Sequence, residues 1–172
     1  GAILFEKTMM SKVNDEFTAD YLWDEKGIVS FLKVDKGLAE EKNGVKLMKE
    51  IPNLKEEIEE ANKKHVFGTK MRSVIYEANE EGIRDIVNQQ FEFAKTICDG
   101  GLVPIIEPEV DIHSEQKELC EKILKDEIIR KLKEWNPADK IMFKFTIPTV
   151  ANHYLDLYDY DCVVRIVALS GG

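Results

Sequence analysis

Cysteine is scarce in this sequence. Cys98, Cys120 and Cys162 are the only thiols, an odd number with no CxxC spacing. That excludes a disulfide framework and a cysteine-based zinc site, and it fits a reduced, cytoplasmic chain. Long apolar runs are missing too: none approaches the ~18 residues of a membrane span, and no signal peptide is visible. Positive charge is in deficit, with 24 Lys and Arg against 33 Asp and Glu for a net charge of -9. This argues against a nucleic-acid or membrane-surface binder, although local cation clusters can still hold small phosphates. No GxGxxG or GxxxxGK(S/T) follows a strand, so nucleotide-binding versions of an open α/β sheet lose support. His65, His113 and His153 lie on different segments without HxH or HxxxH spacing, and read as single histidines rather than metal ligands. No internal repeat, low-complexity tract or linker divides the 172 residues, and one domain is expected over 1–172.

What the sequence does have is a series of strand-length apolar runs. They are AILFEKT (2–8), IVSFLKVDK (28–36), HVFGTKMRSVI (65–75), LVPIIEPEV (102–110), IMFKFTIPT (141–149) and CVVRIVALS (162–170). Strands that are apolar on both sides belong in a parallel sheet covered by helices. Helical patterns separate most of them. NLKEEIEEANKK (53–64) opens with Asn53 three residues before Glu56, a capping-box spacing. Ile83, Ile86, Val87, Phe91, Ala94 and Ile97 form one stripe over 80–98, ended by Gly100-Gly101. Ser114 reads as the N-cap of an amphipathic helix over 114–135. DYLWDEKG and a short helix near 152–158 complete the alternation, and the helical aromatics Trp23, Phe91, Phe93 and Trp135 read as packing. The lysine-rich stretch 42–49 reads as an exposed loop. Repeated βαβ units leave two architectures, a doubly wound open sheet or part of a (βα)8 barrel.

Charges interrupt the strands in a pattern. Lys33 and Asp35 lie late in the second run, Lys70 and Arg72 share a face of the third, and Glu107 and Glu109 straddle Pro108 in the fourth. Lys144 and Thr146 share a face of the fifth, opposite Phe143, Phe145 and Ile147. With a period of two, each set points to one side and the bulky apolar residues to the other. One strand-end charge reads equally well as a solvated loop start. Recurrence on four successive strands argues for a common lumen at the C-terminal ends, where (βα)8 enzymes keep their catalytic groups. Four cations and three carboxylates would converge there. An amine near other cations, with restricted water, has its pKa lowered and becomes nucleophilic. Lys144, crowded by Lys70 and Lys33, meets that description, though spacing alone does not choose among the lysines. A carbonyl is its natural electrophile, and a carboxyl such as Glu107 would protonate the hydroxyl lost on dehydration.

These motifs, in order, resemble a known family. GAILFE, FLKVDKGLAEEKNG, FGTKMR, GLVPIIEPEVDI, KFTIPT and VVRIVALSGG are similar to successive strands of the short bacterial form of class I fructose-1,6-bisphosphate aldolase. The resemblance implies a partial (βα)8 TIM barrel, strands two to seven. It implies Lys144 as the Schiff-base lysine, Glu107 as the general acid/base, Glu109 as support for proton transfer that orients neighbouring lysines, and Lys70 as a charge stabiliser. Lys33 and Arg72 would bind substrate, and Ser170, Gly171 and Gly172 would cradle a sugar phosphate. It further implies a carbon–carbon lyase that uses sugar phosphates and needs no cofactor or metal, with a homo-oligomer of the longer protein left open. Other lysine-dependent enzymes (transaldolase-like or deoxyribose-phosphate-type) and a non-catalytic module on the same fold are the alternatives. The family's first strand, with an Asp and a Ser-Gly-Gly, and its eighth, with a phosphate-binding Arg, have no counterpart before Gly1 or after Gly172. The expectation is a catalytic domain truncated at both ends, poorly active and aggregation-prone by itself.

Overall fold

The computed structural model describes residues 1–171. In chain order the strands are β1 (Ala2–Leu4), β2 (Lys12–Val13), β3 (Glu16–Phe17), β4 (Ser30–Lys33), β5 (Val45–Lys46), β6 (Gly68–Ile75), β7 (Val103–Val110), β8 (Ile141–Thr146) and β9 (Val163–Leu169). The helices are α1 (Glu6–Met9), α2 (Thr18–Lys26), α3 (Leu54–Lys63), α4 (Glu80–Asp99) and α5 (Lys117–Leu132), with a 3-10 turn at Leu155–Asp159. β1, β4, β6, β7, β8 and β9 are hydrogen-bonded in that order, every pair parallel. Sequential parallel strands joined by helical crossovers form part of a (βα)8 barrel wall. β1 and β9 each pair on one side only among the described residues, and apolar side chains near them stand open, Ile3 at 42% and Val164 at 45% exposure.

The two faces of this wall differ. Leu32, Met71, Ile106, Phe143 and Phe145 point outward into the main core, where the α4 stripe of Ile83, Ile86, Val87, Phe91, Ala94 and Ile97 is buried as its periodicity predicts. Inward-facing Phe31, Ile105 and Met142 form a separate small cluster with Val29, Val103 and Val167, a floor on the other face. Gly68 makes that floor: a Cβ there would lie 2.1 Å from the Val103 carbonyl oxygen and 2.9 Å from the Phe31 ring. Only glycine lets β6 approach its neighbours this closely.

Several local expectations are corrected. The first run does not stay extended past Leu4 but turns into α1. Asn53 does not cap α3 with its side chain; its amide donates to Glu57 Oε1, and Lys36 bonds the same carboxylate. Ser114 is not an N-cap, because α5 starts at Lys117; its hydroxyl donates to the Tyr76 carbonyl. The stretch 42–49 is not a plain exposed loop: β5 pairs antiparallel with the top of β6, and Val45 and Met48 are buried. β4 ends at Lys33, so the edge of β6 above Lys70 is open to this hairpin. Trp23 does not pack either, being 60% exposed, whereas Trp135 stands edge-on to Phe91 with ring centroids 5.2 Å apart.

Candidate active site

Parity on four neighbouring strands builds the site. Lys33 and Lys70 are register partners across β4 and β6, and Arg72 and Glu107 across β6 and β7. β7 and β8 are in register at Ile105–Met142 and Ile106–Phe143, just below Glu107 and Lys144. Above that level the Thr146 hydroxyl donates to the Val110 carbonyl at 2.8 Å and accepts from its N–H at 3.2 Å, tying the strand ends together.

The charged groups form one chain. Lys144 Nζ lies 3.0 Å from Glu107 Oε1, and Lys70 Nζ lies 2.9 Å from Glu107 Oε2. One carboxylate, with its side chain 2% exposed, therefore takes an ammonium on each oxygen. Lys70 Nζ is also 3.8 Å from Asp35 Oδ2. Asp35 Oδ1 accepts from Lys33 Nζ at 2.7 Å, and Lys33 also donates to the Asp35 backbone carbonyl at 2.9 Å. Three ammonium groups thus share two carboxylates, which leaves one positive charge on a largely buried surface, a field that draws anions. Beside it Arg72 forks onto Glu109, Nε to Oε2 at 2.6 Å and an η nitrogen to Oε1 at 3.2 Å. That hydrogen bond, opposed by burial and assisted by Glu107, pushes the guanidinium pKa further up. Arg72 is a fixed cation.

The crowding expected around Lys144 takes a different form here. Glu107 stands between Lys144 and Lys70, and Asp35 draws Lys33 aside. Glu109 pairs with Arg72 rather than with a lysine. The side chain of Lys144 is 26% exposed, the Glu107 side chain it meets only 2%. Ser170 follows β9 at the C-terminal end of the wall, and Gly171 has φ 78° with a would-be Cβ 2.5 Å from Ile112 Cγ2. That left-handed turn with a close neighbour requires glycine. Gly172 lies outside the described residues. Lys36 pairs with Glu57 at the start of α3, outside the lumen.

The sequence pattern puts Asp35 late in the second strand and gives it no role, whereas β4 ends at Lys33 and Asp35 lies two residues beyond it; Gln90 was missed altogether. Gln90 is fully buried on α4; its amide donates to Ser73 Oγ at 2.9 Å and lies 3.3 Å from the Glu107 carbonyl, bracing β6 and β7 behind the site. A polar residue on an apolar helix stripe was the available signal. His65 pairs with Asp20, and His153 meets the Glu121 carbonyl. Among the described residues no group of three His, Cys, Asp or Glu could hold a metal ion, and no helix is long and apolar enough to cross a membrane.

Comparison with known proteins agrees with this arrangement. The family model for "Fructose-bisphosphate aldolase class-I" matches residues 1–144. A class 1 fructose-bisphosphate aldolase from Clostridium acetobutylicum is 58% identical over all 172 residues, which span 58% of that protein's length. Among solved structures, the fold resembles a Plasmodium falciparum fructose-bisphosphate aldolase crystallised with TRAP and a small-molecule inhibitor. The TM-score is 0.74 at 22% identity, covering 99% of this chain and 57% of that one.

Proposed function

From the premise that this chain belongs to the class I fructose-bisphosphate aldolase family, we propose that its lysine-lined face carries out Schiff-base cleavage of fructose 1,6-bisphosphate. The observation that carries this reading is the two-sided use of Glu107, with Lys144 on one oxygen and Lys70 on the other. Lys144 gives a proton to the Glu107 carboxylate beside it and adds as the free amine to the substrate ketone, and the carbinolamine hydroxyl leaves as water after taking that proton from Glu107. The resulting iminium accepts the electron pair of the breaking C3–C4 bond. Glyceraldehyde 3-phosphate departs as the C4 hydroxyl gives its proton to the Glu107 carboxylate, that proton returns to the enamine carbon, and water hydrolyses the iminium to dihydroxyacetone phosphate and free Lys144. Lys70 stabilises negative charge beside Lys144, while Lys33, Arg72, Ser170, Gly171 and Gly172 hold the sugar phosphate. The iminium is the electron sink, a role that a metal fills in other aldolases. Residues 1–172 act as one catalytic unit.

Borohydride trapping tests this. With dihydroxyacetone phosphate and borohydride, peptide mass spectrometry is expected to find a reduced three-carbon phosphate adduct on Lys144, unaffected by EDTA. In Lys144→Ala the adduct falls by at least about 10⁴-fold. An adduct on another lysine, or loss of the adduct on chelation, would overturn the assignment.

A further inference from the structure

Asp35 remains without a task in that chemistry, although it is nine-tenths buried and touches two of the three lysines. We propose that Asp35 is a positioning residue that occupies Lys33 and Lys70 in the ligand-free site, acting as an internal stand-in for the substrate's anionic group. The proposal rests on the sugar-phosphate reading of this face. Its argument is geometric. Lys33, the last residue of β4, reaches onto the chain just past its own strand, where its ammonium meets both the carboxylate and the carbonyl of Asp35, at 2.7 and 2.9 Å. The Phe5 ring also lies under the same ammonium, with its centroid 5.8 Å away. Held this way, the Lys33 ammonium is committed to Asp35.

Lys70 is held differently. Glu107 binds it at 2.9 Å and Asp35 stands 3.8 Å from it. Asp35 thus shares Lys70 with Glu107 and divides the trio: Lys33 to Asp35, Lys144 to Glu107, Lys70 between the two carboxylates. Removing its charge leaves three ammonium groups facing one carboxylate. An incoming anion has to displace Asp35 from Lys33, whereas in Asp35→Asn that competitor is weakened. Tighter anion binding and poorer positioning of Lys70 are the two opposed consequences, a pairing that a general loss of packing does not produce.

Trace acetylation of the folded chain with acetic anhydride, read lysine by lysine by mass spectrometry, tests this without requiring turnover. In Asp35→Asn, labelling of Lys33 is expected to rise about tenfold relative to exposed Lys63, the scale of one charged hydrogen bond, and that of Lys70 to rise by less. Inorganic phosphate is expected to protect Lys33 at lower concentration in the variant than in the parent chain, and Asp35→Glu to restore the parental pattern. Unchanged labelling of Lys33 and Lys70 would overturn the proposal. So would a uniform rise that includes Lys117 and Lys125 on α5, since that would mark Asp35 as a general packing residue. If labelling changes as expected but borohydride leaves no adduct on Lys144, the role of Asp35 stands and the aldolase reading falls.

Discussion

The two faces of β8 carry opposite kinds of constraint. On the outer face Phe143 and Phe145 stack with ring centroids 5.2 Å apart, and Tyr154 continues the stack 3.9 Å beyond. On the inner face Lys144 alternates with them and meets only the carboxylate of Glu107 among the partners described above. Volume decides the first face, charge the second. Damage to the outer face should therefore be seen in unfolding, and damage to the inner face in chemistry on a chain that still folds.

Replacing Glu107 with glutamine should break this contrast most severely on the inner side. The amide cannot donate the proton for carbinolamine dehydration and leaves Lys70 and Lys144 without their shared anion. Adduct formation on Lys144 is expected to slow by about 10²- to 10⁴-fold. A rate within twofold of the parent chain would remove Glu107 from its acid/base role. On the outer side, Phe143→Ala empties a fully buried ring site and is expected to cost about 3–5 kcal/mol in denaturant unfolding. A loss below about 1 kcal/mol would mean that the core closes over the gap.

The smallest effect belongs to an ion pair far from both faces. Burial works to raise the Glu127 pKa, but Arg130 and Arg84, both hydrogen-bonded to it, win and hold it below the ordinary glutamate range. A carboxyl with a folded pKa below its unfolded one stabilises the fold above the unfolded value. That stability disappears as pH falls through the folded value. Glu127→Gln should therefore cost less than about 1 kcal/mol near neutrality. The difference from the parent chain should close in acid, with trapping on Lys144 unchanged throughout. A gap that widens in acid would reverse the sign of this linkage.

Much of the wall was legible in the sequence, for a physical reason. A parallel strand covered on one side by helices and lined on the other by a site must alternate, and Phe143, Lys144 and Phe145 do so visibly. The α4 stripe was equally legible, because a helix of that length repeats its apolar period several times. Short elements were not. β2 and β3 form a two-residue hairpin turning at Asn14 and Asp15, both at positive φ, and β5 is equally brief. Two residues carry no periodicity. The caps failed for another reason: Asn53 and Ser114 have the right chemistry at the right distance, yet a side chain one turn into the same helix, Glu57, engages the Asn53 amide, and a tertiary partner, the Tyr76 carbonyl, takes the Ser114 hydroxyl.

The sequence by itself determined which face each strand residue takes, and hence that Lys33, Lys70, Arg72, Glu107, Glu109 and Lys144 share a lumen. Side-chain parity is a local property of an extended chain, so it can be read without knowing the neighbours. Only the tertiary structure decided how those charges pair. The pairing depends on register between strands 30 to 40 residues apart in the chain, on how far β4 reaches before it ends at Lys33, and on which oxygen faces which ammonium. Asp35 shows the difference. Alternation put it near the site, but distances of 2.7 Å to Lys33 and 3.8 Å to Lys70 gave it work to do.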